Sequence, residues 1–272
     1  MPERRVGERS DVWSEAAVRA FWERELDFPE HYFSAKYGPR IITELRRYIS
    51  AGGKVLDYGC GRGALSERLC LDIGAEVWAT DGLPGAVTVT NRLNATRPGF
   101  HGAFHLEEIR RFAGIFDAIV AIELLEHLAD TALRDFFSTA GALVRPAGYL
   151  IVTTPNRERL ETKDVLCPTC GTVFHRWQHI RSVDAEQLAR WGAAVGFTLT
   201  EVLETDFSRA GRRFSWPGRR RARGNDYPHL MGVFVRSARH GPVTTSRGRF
   251  RTRIITDGVT PNLHVRARQD PP

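Results

Sequence analysis

Residues 55–63 read Val-Leu-Asp-Tyr-Gly-Cys-Gly-Arg-Gly, with glycine at every second position after a short apolar run. Residues 54–58 are typical of a buried strand, and residues 64–71 are typical of a helix with leucines on its inner face. The glycines therefore lie in the turn between these elements, where they permit positive φ and leave bare main chain for a ligand. We predict a nucleotide-type ligand here, with Asp57 as a hydrogen-bond acceptor at the end of the strand.

A second strand follows and also ends in an acid. Residues 76–81 read Glu-Val-Trp-Ala-Thr-Asp and place Asp81 24 residues after Asp57. A dinucleotide fingerprint would need its third glycine three residues after the second, whereas the glycines here alternate. The pattern resembles motif I of the class I S-adenosylmethionine-dependent methyltransferases. This resemblance implies a Rossmann-like α/β fold, with a seven-stranded, mostly parallel sheet that has one antiparallel strand.

The resemblance also implies which residues bind the cofactor, S-adenosyl-L-methionine. In that family the acid at the position of Asp81 binds both ribose hydroxyls, and a carboxylate suits two donors because it offers only acceptors. Where many relatives carry an Asp for the adenine amine, this chain has His105, which leaves the adenine contact open. The residues predicted to bind the cofactor are Asp57, Gly59, Cys60, Gly61, Gly63, Asp81, Gly82 and Glu123.

The resemblance covers residues 54–236. Residues 116–128 resemble the fourth strand of the family and its exit, and residues 148–156 resemble the fifth strand. Apolar periodicity predicts the remaining elements. These are helices at residues 10–26, 39–49 and 183–195, and two final strands at 197–206 and 229–236.

A chain of 272 residues can bury one catalytic core with appendages. We predict five units: N-terminal helices with a candidate substrate lid (residues 1–52, the lid at 28–38), the methyltransferase domain (53–237), a Cys/His insertion within it (157–181), a basic loop (207–228) and a flexible basic tail (238–272).

The four cysteines do not resemble a secreted disulfide framework. The sequence also lacks an apolar stretch of signal-peptide or bilayer length, so we expect a cytoplasmic protein.

The net charge of +7 comes from the end of the chain. Residues 207–272 contain 15 Arg and 3 Asp, whereas the preceding residues contain 24 Lys or Arg and 29 Asp or Glu. Such a segment could capture an anionic partner, for example RNA, a phosphorylated substrate or a membrane surface. Because no aromatic-interleaved binding motif accompanies the charge, we favour a solvated loop and tail.

The predicted insertion contains Cys167-Pro-Thr-Cys170-Gly, followed by His175 and His179. Two thiolates and two imidazoles make a plausible tetrahedral zinc set, which we expect to be structural because catalytic zinc needs an open position. The linker is shorter than in classical zinc fingers, so the two cysteines could instead share an ion with ligands from elsewhere. The alternative without metal is reduced thiols, with histidines that line a pocket.

The histidines have a second interpretation, which depends on the segment Glu123-x-x-Glu126-His127 together with His179. This pattern resembles the small-RNA 3′-terminal 2′-O-methyltransferases, and the resemblance implies that these four side chains hold a divalent ion that acidifies a ribose hydroxyl. The same pattern also occurs in small-molecule relatives such as the ubiquinone-biosynthesis O-methyltransferases. We therefore rank the RNA function below the small-molecule function.

Methyl transfer from a sulfonium needs in-line positioning and, for a hydroxyl acceptor, removal of a proton. His127 follows the predicted fourth strand, at the sheet edge where open α/β folds bind their ligands, and its ordinary pKa suits proton removal. We predict His127 and His179 as catalytic residues; the alternative for His127 is a helix-start histidine held by Glu123 or Glu126.

The predicted function is methylation of an oxygen or nitrogen of a small metabolite, sugar or natural-product intermediate. The other class that we consider is a non-catalytic regulatory protein that binds the cofactor.

Overall fold

A central sheet of eight strands organises the protein, and the computed structural model describes residues 13–208, 227–237 and 250–254. The strands in these ranges are β1 (Lys54–Tyr58), β2 (Glu76–Asp81), β3 (Phe100–His105), β4 (Phe116–Ile122), β5 (Val144–Pro155), β6 (Asp164–Leu166), β7 (Val173–His175), β8 (Phe197–Thr205), β9 (His229–Arg236) and β10 (Arg251–Ile254). The α-helices in the same ranges are α1 (Glu15–Glu25), α2 (Phe33–Leu45), α3 (Ala64–Arg68), α4 (Pro84–Asn94), α5 (Asp130–Leu143) and α6 (Ala185–Ala193).

The central sheet has the strand order β10-β8-β9-β5-β4-β1-β2-β3. Strand β9 runs antiparallel to both of its neighbours, β5 and β8, while the other neighbouring strands pair in parallel. The carboxyl ends of the parallel strands therefore meet at one edge, where open α/β sheets bind their ligands. The predicted strands at residues 197–206 and 229–236 correspond to β8 and β9.

The core lies on both faces of this sheet. Leu56 of β1 packs into a cluster with Phe136 of α5, whereas its neighbour Val55 packs into a second cluster with Ile41 of α2. Because successive residues of a strand point to opposite faces, both faces must be covered, and this explains the continuous apolar runs of β1 and β4. Within the described ranges, no helix combines the length and the apolar character that a bilayer crossing requires.

The sheet has eight strands, so the expected number of seven is wrong. The additional strand is β10, which pairs in parallel with β8 and lies inside residues 238–272, which we expected to form a flexible tail. Arg253 explains its position: the guanidinium is buried and contacts Glu44 of α2 and Glu201 of β8. Most of the predicted basic loop and the rest of the predicted tail lie outside the described residues.

Replacing Arg253 with alanine is expected to lower the free energy of unfolding by about 2 kcal/mol, because two carboxylates would lose their shared cation. Arg253 lies 2.9 Å from Glu201 through its Nε, while Arg47 offers those carboxylates only longer contacts of 3.7 and 3.9 Å. Chemical denaturation measures the change. Arg251→Ala is the matched control, because Arg251 is exposed on the same strand. Equal losses for the two variants would contradict the role given to Arg253.

The N-terminal helices differ in extent from the prediction. Helix α1 lies within the predicted residues 10–26, but α2 begins at Phe33 rather than at Pro39. Pro39 therefore lies inside the helix, although proline more often marks a helix start. The predicted lid at residues 28–38 consequently consists of a short 3₁₀ helix, Pro29–His31, and the first part of α2.

The predicted insertion forms a small hairpin outside the central sheet. Its strands β6 and β7 pair antiparallel, with Asp164 opposite His175 and Leu166 opposite Val173. The Cys-x2-Cys turn connects the strands at the far end, where Cys167 donates its N–H to the carbonyl of Thr172. His175 thus lies at the base of the hairpin and the two cysteines lie at its tip.

Candidate active site

The glycine-rich loop after β1 is held against the end of β2. Gly59, Gly61 and Gly63 have φ values of 79°, 52° and 77°, in the left-handed region that favours glycine. Asp81 fixes the loop, because one carboxylate oxygen accepts the N–H of Gly61 at 2.9 Å and the other accepts the N–H of Leu83 at 2.9 Å. A carboxylate has about four acceptor sites, so Asp81 retains acceptor capacity beyond its backbone partners Gly61, Gly82 and Leu83.

Tyr32 lies on this loop. A Cβ added to Gly61 would lie 2.4 Å from Cε1 of Tyr32, so the ring packs directly against bare main chain. Burial and the nearby Asp81 raise the pKa of the Tyr32 hydroxyl above its usual range. The structure thus brings one residue of the predicted lid to the predicted cofactor loop.

Three of the predicted cofactor residues make contacts within the protein. Asp57 accepts a hydrogen bond from Ser66 at 2.6 Å, and its burial raises the pKa of the carboxyl to about 7. Cys60 is buried. A Cβ on Gly63 would lie 2.4 Å from Nδ2 of Asn94, so this glycine permits close approach of α4. Gly82, another predicted cofactor residue, directly follows β2. His105, the position at which the adenine contact was left open, pairs with Asp81 across the β2–β3 ladder.

Two acids follow β4, the half-buried Glu123 and the buried Glu126. Glu123 has φ of 48°, which is rare outside glycine, and its N–H donates to Thr153. Glu126 accepts a hydrogen bond from the hydroxyl of Thr154 at 3.1 Å. In each acid the Oε1 atom is buried without a hydrogen-bond partner among the described residues. Desolvation raises the pKa of Glu123 to about 8 and also raises the pKa of Glu126.

His127 directs one ring nitrogen toward these acids. Its Nδ1 lies 3.4 Å from the carbonyl oxygen of Gln178, and its Nε2 lies 3.8 Å from Oε1 of Glu126. The carbonyl accepts the Nδ1 proton, which leaves a lone pair on Nε2. Burial, followed by the neighbouring His179, lowers the pKa of His127 to about 3, so the ring is neutral near pH 7.

Gln178 also anchors the N-terminal helix over the site. Its side-chain oxygen accepts the indole N–H of Trp22 at 2.9 Å, and the Trp22 ring contacts the His127 ring edge-on, with the centroids 4.7 Å apart. Gln178 itself has φ of 60°. Left-handed backbone at a residue with a full side chain is found most often at functional sites, and here it occurs at both Gln178 and Glu123.

His179 lies between two groups of polar side chains. On one side, candidate ligand atoms of Glu126, His127 and His179 all lie within 4.8 Å of one another. On the other side, the same holds for Glu158, His175 and His179. The Nδ1 of His179 makes a short contact with Oε2 of Glu158, and its ring stacks on that of His175, with the centroids 4.3 Å apart.

The four predicted zinc ligands are not brought together. Neither of these two groups contains Cys167 or Cys170, although the structure describes both cysteines. The hairpin register explains the separation, since the cysteines lie at the tip and His175 at the base. Cys170 is exposed, and hydrogen bonding to Thr172 lowers the pKa of its thiol to about 7.

Sequence reasoning missed several residues of this site. Glu158, Gln178 and Trp22 contact the histidines directly, yet none of them belongs to a motif that we recognised. Glu158 had one usable signal: it is an acid three residues after β5, at the ligand-binding edge of the sheet. Trp22 and Gln178 are 156 residues apart, and no local pattern indicates their contact.

Comparison with known proteins agrees with this architecture. The family model described as "Methyltransferase domain" matches residues 30–202, and the chain belongs to this family. The predicted class I S-adenosylmethionine-dependent methyltransferase fold is therefore confirmed, with one strand more than expected.

Two curated relatives carry the name ubiquinone biosynthesis O-methyltransferase. The protein from Methylocella silvestris is 38% identical over 125 residues, which cover 45% of this chain and 44% of the relative. The protein from Azotobacter vinelandii is 33% identical over 213 residues, which cover 74% of this chain and 87% of the relative. The first alignment thus spans less than half of the relative's length.

A solved structure with the same fold is the 1,6-didemethyltoxoflavin-N1-methyltransferase of Burkholderia thailandensis, with bound 1,6-didemethyltoxoflavin and S-adenosylhomocysteine. It superposes with a TM-score of 0.57 at 16% identity, over 82% of this chain and 88% of that one. At this identity the similarity concerns the fold.

Proposed function

We propose that the protein transfers a methyl group from S-adenosylmethionine to a hydroxyl oxygen or an amine nitrogen of a small metabolite. The observation that carries the proposal is the position of two neutral imidazoles, His127 and His179, beside Glu126 at the carboxyl edge of the sheet. The glycine-rich loop lies at that same edge, after β1. The ubiquinone O-methyltransferase relatives support an oxygen acceptor.

The loop side of the site fits an adenosyl cofactor. Asp81 retains acceptor capacity that the ribose hydroxyls could use. The main chain at Gly61 has no side chain of its own, and the Tyr32 ring lies against it. When bound, the cofactor supplies an electrophilic methyl carbon. In this proposal Asp81 binds the ribose, and Tyr32 covers the loop.

The histidine side of the site fits a hydroxyl acceptor. With the methyl carbon supplied by the cofactor and its sulfur as the leaving group, Nε2 of His179 would take the hydroxyl proton of the acceptor as the acceptor oxygen bonds to that carbon. This proton removal is general base catalysis at a group within hydrogen-bond reach of the acceptor. Nε2 of His127 would orient the acceptor by accepting a hydrogen bond from a second donor group of that molecule, because the reacting hydroxyl has only one proton. The Trp22 ring covers one side of the His127 ring.

The proposal is tested with purified protein in two steps. Calorimetry measures the binding of S-adenosylhomocysteine, and mass spectrometry then detects methylated products from a panel of phenols, sugars and amines. We expect cofactor binding and transfer to at least one hydroxyl acceptor. Tight cofactor binding without transfer to any acceptor would favour the non-catalytic regulatory protein, and absence of cofactor binding would contradict both.

A second candidate has a specific observation in its favour, namely the group formed by Glu126, His127 and His179. One carboxylate and two imidazoles suit a divalent ion such as zinc, and the unpaired Oε1 of Glu126 faces Nε2 of His127. Glu123, the fourth ligand that the resemblance to the RNA enzymes implies, is not part of this group. An ion bound here would acidify a hydroxyl of the acceptor, and the acceptor could be a small metabolite or, in the lower-ranked alternative, a 3′-terminal ribose of RNA.

Elemental analysis separates this ion site from the Cys-x2-Cys turn. If the second candidate is right, the purified protein contains about one divalent ion per chain, and Glu126→Gln loses most of it because the amide is a much weaker ligand. The matched control is the double variant Cys167→Ser/Cys170→Ser, which should keep its ion. Loss of the ion from the cysteine variant, with retention in Glu126→Gln, would place the metal at the hairpin tip instead.

Two further predictions concern the cellular context. A cytoplasmic location stays a prediction. Capture of an anionic partner by the arginines of residues 207–272 also stays a prediction, because most of these residues lie outside the described ranges.

A further inference from the structure

His175 has one ring nitrogen committed to the backbone. Its Nδ1 accepts the N–H of Trp177 at 3.3 Å and the N–H of His179 at 3.1 Å. A nitrogen that accepts two N–H donors carries no proton, so the proton of the neutral ring is on Nε2. Nε2 of His175 is therefore a hydrogen-bond donor and has no lone pair for a metal ion. This argues against His175 as one of the zinc ligands predicted from the sequence.

The Nε2 of His175 lies toward Glu158. The distance from this nitrogen to Oε1 of Glu158 is 3.7 Å, and both side chains are buried. Nζ of Lys163 lies 2.9 Å from the same oxygen. The Nε2–H group of His175 and the ammonium group of Lys163 thus both lie near Oε1 of Glu158. The other carboxylate oxygen, Oε2, is left to contact His179.

Glu158 determines the protonation of His179. Oε2 of the carboxylate contacts Nδ1 of His179, and the ammonium group of Lys163, 2.9 Å from Oε1, supplies the counter-charge that keeps this carboxylate ionised. An ionised carboxylate only accepts hydrogen bonds, so Nδ1 of His179 must carry the proton. The lone pair of His179 is then on Nε2, the nitrogen left for the group with Glu126 and His127.

We propose that Glu158 and His175 are positioning residues, which fix the proton of His179 on Nδ1 so that Nε2 offers its lone pair to the site. His175 contributes by holding the backbone N–H of His179 and by facing Glu158. The catalytic consequence rests on the proposed function, because Nε2 of His179 accepts a proton or binds an ion there. The protonation pattern itself does not depend on methyl transfer.

The Glu158→Gln substitution tests the pattern, because glutamine has the same shape and only one acceptor oxygen. The ammonium group of Lys163, 2.9 Å from Oε1 in the unaltered protein, favours the amide oxygen on its own side, which turns the amide N–H groups toward Nδ1 of His179. The ring should then move its proton to Nε2. Nitrogen-15 spectra of histidine-labelled protein distinguish the two tautomers. We expect Nδ1–H in the unaltered protein and in Glu158→Asp, and Nε2–H in Glu158→Gln.

The matched control is Glu161→Gln, since Glu161 is exposed and pairs with Arg159 at 3.0 Å. It should keep the Nδ1–H tautomer. Turnover should fall about 10- to 100-fold in Glu158→Gln and recover at least partly in Glu158→Asp, with S-adenosylhomocysteine affinity unchanged in both. An Nδ1–H tautomer in Glu158→Gln, or an Nε2–H tautomer in the unaltered protein, would overturn the inference. If no acceptor is methylated while the tautomers change as expected, the inference stands and the proposed function fails.

Discussion

Replacing His179 with alanine is expected to lower the rate of methyl transfer by about 10²- to 10⁴-fold, the range that general acid–base groups contribute. The ring of His179 is the only one that belongs to both groups of polar side chains found in the described part of the chain. The substitution removes the proposed proton acceptor. It also removes the imidazole ring that contacts Glu158. Cofactor affinity should change little, because Asp81 and the glycine-rich loop remain intact.

The effect of His179→Ala is measured as kcat with saturating cofactor, together with S-adenosylhomocysteine affinity by calorimetry. His101→Ala is the matched control, since His101 lies on β3 and pairs with Glu76 away from the site. The control should retain full turnover. If His179→Ala kept the turnover of the unaltered protein, His179 could be neither the base nor an essential ion ligand.

The second large effect is expected for Asp81→Ala, which should weaken cofactor binding about 100-fold, or roughly 3 kcal/mol. Two ribose hydroxyls would lose a charged acceptor. The N–H groups of Gly61 and Leu83 would also lose their partner, so the loop would be held less firmly. Both losses act on the same bound state and therefore add to the decrease in affinity.

Calorimetry with S-adenosylhomocysteine measures the change, and Asp135→Ala is the matched control because Asp135 is exposed on α5. Asp81→Asn refines the test. The amide retains one acceptor oxygen, so its affinity should fall between the unaltered protein and Asp81→Ala. Unchanged affinity in Asp81→Ala would contradict the assignment of the ribose site.

Much of the fold was predictable because its signals are local. The alternating glycines after an apolar strand, and the acid at the end of the next strand, lie in two short segments. The strands and the glycine-rich turn in these segments are each determined by residues that are close together in the sequence. The strand β10 was not predictable in this way, because its position depends on Arg253 meeting Glu44, 209 residues earlier in the chain.

The site was predicted in part for a similar reason. The Glu-x-x-Glu-His segment and His179 were identified from spacing, and the structure brings Glu126, His127 and His179 together. The predicted zinc set failed to assemble because sequence spacing does not state which end of a hairpin a residue occupies. Nor does spacing state which ring nitrogen of a histidine carries the proton, and that depends on distant partners such as Gln178 for His127.

The double engagement of Gln178 has a practical consequence. Its main-chain oxygen orients His127, while its side chain holds Trp22 of α1. A shortened protein that begins after residue 25 would therefore lose Trp22, which holds the residue that orients His127. Such a truncation is a change to the reaction centre itself, and its kinetics should be interpreted as those of an active-site variant.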